Sequence, residues 1–170
     1  MNAQALRARL SSYWKLEVLN AALLPGFMIF ACLSTDQEIG VGLVLACLPM
    51  CGLLLLGGFY WRAKLHQLDG RRDTLDRVLR QARHWQAPLL ATSVMAALLA
   101  IASWLLPELA ASKGERWAIS AAAALAALEY INYNHRQLQH FDHPADFRRL
   151  ITGRGFQPSQ LAKDMRRRKP

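Results

Sequence analysis

The chain is expected to fold as an all-α bundle of four transmembrane helices with amphipathic helical extensions on one side of the membrane. Three observations predict it. First, the 53% hydrophobic content is gathered into four blocks, 16–33, 41–61, 88–106 and 117–134. Each block is long enough to cross a hydrocarbon core of roughly 30 Å at about 1.5 Å per residue. Second, 19 of the 21 Lys and Arg residues fall on one side of those blocks. Loops on the cytoplasmic side carry excess Lys and Arg, so this bias orients the chain as well as classifying it. Third, Trp14, Tyr60, Trp61, Trp85, Trp104 and Trp117 sit at or near block ends, where amphipathic rings meet the membrane interface.

The charge count fixes the expected topology. Arg7, Arg9 and Lys15 precede the first block, and no cation separates the first from the second. Seven cations lie in 62–87, from Arg62 to Arg83, and nine follow the fourth block. The third and fourth blocks are separated by only Lys113 and Arg116, beside Glu108 and Glu115. Both termini and the long second connection are therefore expected in the cytoplasm, in an inner-membrane setting. The two short connections should face out. They should make antiparallel hairpins of spans one and two, and of spans three and four. Residues 1–170 read as a single domain. Glu17 and Asn20 interrupt the first apolar run, and no small-x-small site follows it, which argues against a cleaved leader.

Within the spans, Pro25-Gly26 and Pro49 predict kinks whose freed carbonyls are met by neighbouring helices. Glycines in the second span, Ala96, Ala100 and Ser103 in the third, and the alanine run after Ser120 should let backbones approach closely. That favours helix association and a homo-oligomer. Cys32, Cys47 and Cys51 all lie inside spans and read as small packing residues, with no disulfide framework and no thiolate metal pattern.

The connection 62–87 is expected to extend the second helix to Leu68, break at Asp69-Gly70, and restart as an amphipathic helix over 73–85. Leu75, Val78, Leu79 and Ala82 share one face of it, with Arg77, Arg80 and Arg83 elsewhere. Pro88 should kink or end that helix. In the segment 135–170, Pro144 interrupts, Gly153 and Gly155 turn, and Ser159 is placed to cap a last helix. Phe141, Phe147, Leu150, Ile151, Phe156 and Leu161 are too apolar for a free tail and should pack on the cytoplasmic helices or on another subunit.

The stretch from Glu129 to Leu138, with Asp146-Phe-Arg-Arg-Leu150 and Leu161-Ala-Lys-Asp164, resembles small uncharacterised bacterial four-span inner-membrane proteins. The resemblance covers about a quarter of the chain. It implies a bacterial membrane setting and no activity or ligand.

Three groups of residues can carry function. Glu129 lies seven positions before Arg136, roughly 10 Å inside the expected membrane edge. An ionisable group at that depth is costly and marks a site. Asn132, Tyr133 and Arg136 follow on or near its face, and Glu17 and Asn20 sit at similar depth in the first span. This cluster reads either as a hydrogen-bonded clasp between helices or as the vestibule of a pore or ion relay. The second group, Arg77, Arg80, Arg83, Arg148, Arg149 and Arg154, is suited to a cytoplasmic protein partner or to anionic membrane lipid. Topology already explains such cations, so they give no separate support for nucleic-acid binding. The third group, His140, His143 and Asp146, has N and O ligands at threefold spacing that zinc could use. Pro144 breaks the helix inside it, so no metal or other cofactor is assigned. No phosphate loop, nucleophile elbow or metalloprotease motif is present. A non-enzymatic scaffold is the first expectation, a homo-oligomeric channel the second, and a membrane metal protein or enzyme the third.

Overall fold

The structure, a computed structural model, describes residues 3–136, 138 and 157–167. These residues form helices α1 (Ala3–Leu33), α2 (Val41–Leu68), α3 (Arg72–Leu105), α4 (Lys113–Asn134) and α5 (Gln160–Arg167), with one 3-10 turn at Pro107–Leu109. No strand is present among the described residues. His140, His143, Asp146, Arg148, Arg149 and Arg154 lie outside them, as do Phe141, Phe147, Leu150, Ile151 and Phe156.

Three helices, α1, α2 and α3, are long and apolar enough to cross a membrane. The chain is thus an all-helical protein of membrane type. The fourth expected span corresponds to α4, which is not among the three. Its 22 residues are mostly alanine in the middle, with Glu129, Asn132 and Asn134 in the last turns. Small side chains suit close packing better than lipid contact, and α4 uses them in that way: Ala118, Ala122, Ala123 and Ala126 are buried.

Helix α2 is the hub. It packs extensively on α1, α3 and α4, whereas α1 barely meets α4. Accordingly 50% of α2's most apolar stretch is buried inside the protein, against 17% for α1. Two adjacent glycines make this possible. A Cβ on Gly57 would overlap the Tyr133 hydroxyl of α4, and one on Gly58 would sit 2.8 Å from Val18 Cγ2 of α1. One helix therefore closes on each glycine, which is how small residues drive association where lipid offers no hydrophobic force.

The helices overrun the spans expected for them. The 31 residues of α1 reach about 46 Å at 1.5 Å per residue, well beyond a hydrocarbon core. Its first turns brace the α2–α3 turn, where Arg7 pairs with Asp69 at 2.9 Å. That turn is made by Gly70, whose φ of 84° is a left-handed conformation that glycine adopts without steric cost. As expected, α2 ends at Leu68 and the face Leu75, Val78, Leu79 and Ala82 is buried.

Pro25, Pro49 and Pro88 all lie inside helices that continue through them. Pro25 cannot donate to the carbonyl of Ala21, and the Cys51 thiol of α2 donates to it instead, at 3.3 Å. Cys51 is thus a polar partner as well as a packing residue. Of the two outcomes expected at Pro88, a kink or an end, the helix does not end there, and α3 runs on from Arg72 to Leu105. The turns on either side of the proline are anchored on α2. Leu75, Val78, Leu79 and Ala82 are buried before it, and Leu89 packs over Gly52 after it. The lost hydrogen bond is too small a cost to break a helix held on both sides. Tyr60 also departs from expectation. It is fully buried rather than interfacial.

Two apolar clusters fill the bundle. One includes Met28, Leu43, Met50, Leu54, Ile119 and Ala122, toward the connections 34–40 and 106–112, here the loop end. The other includes Tyr60, Leu75, Leu79, Tyr133, Leu161 and Met165, toward the α2–α3 turn, here the hairpin end.

Candidate functional site

The hairpin end is assembled from all five helices. Helix α5 has only eight residues, too few to be stable alone, and is held by several anchors. Leu161, Ala162 and Met165 are buried. Ser159 caps it, accepting from the Ala162 amide at 3.0 Å, and its hydroxyl also donates to the Tyr133 carbonyl at the end of α4. The Ser159 amide donates to the His135 carbonyl at 3.2 Å, next to a backbone bridge between Arg136 and Pro158. Asp164 Oδ2 accepts from Tyr60 Oη at 2.8 Å and from Lys64 Nζ at 2.9 Å. Arg83 donates to the Met165 carbonyl at 2.5 Å, a cation placed on the negative end of a helix.

The arginines of the hairpin therefore differ in role. Arg77 and Arg80 are exposed, while Arg83 is half-buried and holds α5. Arg62 is also engaged, with its guanidinium 5.3 Å from the ring centre of Trp14.

Beneath α5 lies the polar cluster. Glu17 of α1 is buried. The Tyr133 hydroxyl is buried beside it, without a hydrogen bond of ordinary geometry. Glu129 is near enough to act electrostatically on both. Asn132 joins the group, donating to Glu129 Oε2 at 3.3 Å and accepting from the Leu138 amide at 2.9 Å. Glu17, Asn132, Tyr133, Tyr60 and Ser159 line a cavity of about 30 Å³, room for a water molecule. Asn20 lies one turn along α1 and is half-buried. Arg136 is exposed and does not pair with Glu129, although helical spacing alone would put the two on one face. Past Asn134 the chain leaves the helix to meet Pro158, which takes Arg136 off that face.

The loop end holds a site that block-by-block charge counting does not reveal. Glu115 is fully buried. Its Oε1 accepts from the Leu43 amide at 3.1 Å and its Oε2 from the Ala111 amide at 2.6 Å. Ser112 caps α4 by accepting from the Glu115 amide at 3.1 Å and donates to the Glu38 carbonyl at 2.8 Å. Gln37 Oε1 accepts from the Gly114 amide at 3.0 Å. One carboxylate thus ties the start of α2 to the start of α4. The sequence signal for it is Ser112-Lys-Gly-Glu115, the spacing of a capping box.

Among the described residues no group of three His, Cys, Asp or Glu is placed to hold a metal ion. Comparison with protein-family models, curated proteins and solved structures gives no match.

Proposed function

We propose that the protein is a non-enzymatic scaffold of the bacterial inner membrane, crossing it four times with both termini in the cytoplasm. It forms homo-oligomers in the bilayer, and its hairpin end docks a cytoplasmic protein partner or anionic lipid. One observation carries this reading. Arg77 and Arg80 are exposed on a hairpin that α5 and Arg7 brace from two sides. A braced platform with free cations suits surface capture, because little ordering cost remains to be met on binding.

The test is the double charge reversal Arg77→Glu/Arg80→Glu in the full chain. Each cation near an anionic leaflet contributes about 1 kcal/mol, so capture of anionic vesicles should fall by at least roughly thirtyfold. A cytoplasmic partner that co-purifies with the wild type should be lost as well. The melting temperature in detergent should not change. Retained capture would sink the proposal. Arg83 is unsuited to this test because its loss would free α5.

The buried cluster around Glu17 and Tyr133 favours a second reading, a homo-oligomeric channel with a polar cytoplasmic vestibule. Its difficulty is the loop end, where Glu115 is consumed by backbone bonds and continues no pathway. Ion flux through liposomes carrying the purified protein decides it, and no flux in wild type would remove it.

A further inference from the structure

A second surface lies on the outside of the bundle, between α2 and α3. There an apolar groove of about 450 Å³ is lined by Leu48, Leu55 and Phe59 from α2 and by Trp85, Leu89 and Thr92 from α3. The volume is in the range of sites that hold small ligands. The floor is set where α2 and α3 approach closely. Gly52 has no side chain there, and Leu89 fills the space, 2.9 Å from where a Cβ would stand. Pro49 and Pro88 supply short, rigid flanks.

Length and polarity say what fits. The walls run over residues 48–59 and 81–92 in antiparallel helices, so the groove is about 17 Å long at 1.5 Å per residue. That is close to half of a hydrocarbon core of about 30 Å, the depth of one leaflet. One end carries Leu48 and Thr92, whose hydroxyl is turned back onto the Pro88 carbonyl of its own helix at 3.0 Å. The other carries Gln81 and the half-exposed indole of Trp85, the ring type that marks a membrane interface. One turn beyond Gln81, on the same side of α3, stands exposed Arg77. The polar end is also the end nearest the α2–α3 turn, where the expected cytoplasmic cations gather.

We infer that this groove is a binding site for one anionic phospholipid, with an acyl chain lying between α2 and α3 and the phosphate at Arg77. The inference rests on the membrane reading proposed above and names the lipid part of it. A phospholipid matches the groove at both ends. An apolar chain of one-leaflet length covers Leu55, Phe59 and Leu89, and a phosphate meets the only exposed cation on the groove's face of α3 among the described residues. Trp85 packs beside the glycerol level, where its ring and N–H are suited to the interface.

The test counts retained lipid. Full-length protein is reconstituted in bilayers of equal phosphatidylglycerol and phosphatidylcholine, re-extracted in detergent, and its bound lipid measured by mass spectrometry. Wild type should retain phosphatidylglycerol in preference to phosphatidylcholine. In Arg77→Gln the lipid should remain but its headgroup preference should drop about fivefold, the equivalent of one cation at a leaflet surface. In Leu55→Phe/Thr92→Phe, which fills the groove and leaves Arg77 and Arg80 in place, retention should be lost while the melting temperature holds. Undiminished retention in the filled variant overturns the inference, and so does equal retention of both lipids by wild type. Disulfide crosslinking between copies carrying Phe59→Cys would show a second copy covering the groove and would also overturn it. The filled variant still captures anionic vesicles if the hairpin platform works, so failure of the groove and failure of the platform are read separately.

Discussion

The two ends of the bundle both bury carboxylates, and they use them in opposite ways. At the loop end, Glu115 is saturated. Each oxygen accepts from a backbone amide, one in α2 and one before α4, so the charge is spent on donors that helix starts leave unpaired. At the hairpin end, Glu17 and Glu129 stand near each other with few donors. Among the described residues no backbone amide bonds Glu17, whose neighbour is the Tyr133 hydroxyl, and Arg136 makes no ion pair with Glu129. The same residue type is a structural bolt in one place and an unspent polar group in the other. The difference teaches where function can reside. A carboxylate whose oxygens are both held by backbone amides cannot move a proton or hold a ligand without unfolding its surroundings. One beside a water-sized cavity can.

The largest test of that contrast is Glu115→Ala. It strands the Leu43 and Ala111 amides, each costing about 1–3 kcal/mol. We expect a loss of about 3 kcal/mol, read as a lower midpoint in thermal or denaturant unfolding in detergent. Glu115→Gln should fall between, because an amide keeps one acceptor and turns a donor toward the other N–H. If Glu115→Ala melts like wild type, the loop end is not bolted as described.

Next in size is Gly57→Ala. Its methyl would meet the Tyr133 ring at van der Waals overlap, and overpacking of this kind costs about 1–3 kcal/mol. Because Tyr133 lines the hairpin-end cavity, the substitution should also disturb the packing of α5. Combining it with Tyr133→Ala removes the overlap, so the two losses should fall short of additive. Simple additivity would mean that α2 and α4 do not meet where Gly57 places them.

Much of this architecture can be read from residue patterns, and the limits have physical causes. The α2–α3 hairpin was legible because Asp69-Gly70 interrupts two helical periodicities, and Leu75, Val78, Leu79 and Ala82 recur at helical spacing. Ser159 was legible as a cap. At Pro88 the pattern left two outcomes open, a kink or an end, because local chemistry forbids one hydrogen bond while the packing on α2 that keeps α3 continuous is invisible in a linear pattern. Tyr60 was misplaced for a related reason. An aromatic near a block end resembles an interface anchor until α5 folds back and puts Asp164 against its hydroxyl. The polar cluster was half legible. Helical spacing joined Glu129, Asn132 and Tyr133, and depth matched them to Glu17, but the departure of the chain from α4 beyond Asn134 removed Arg136. Glu115 was hidden because a carboxylate in a short connection looks like a loop charge, although its spacing from Ser112 signals a cap.

The smallest expected effect is the one that sharpens the comparison most. Glu17→Gln keeps the shape of the side chain, breaks no backbone bond, and removes one of two neighbouring carboxylates. Like charges in a poorly solvated setting destabilise each other, so the substitution should change the unfolding midpoint little and, if anything, raise it. Its partner experiment at the loop end, Glu115→Gln, has the same chemistry and should cost about 1–2 kcal/mol, less than Glu115→Ala. Measured in one detergent, the pair isolates the role of backbone donors from the cost of burying a carboxylate. Equal losses at the two sites would mean that Glu17 is held as firmly as Glu115, and the hairpin end would then hold no unspent polar group. A neutral Glu17→Gln that alters ion flux in liposomes would instead give the cluster a task beyond holding α1 to α4.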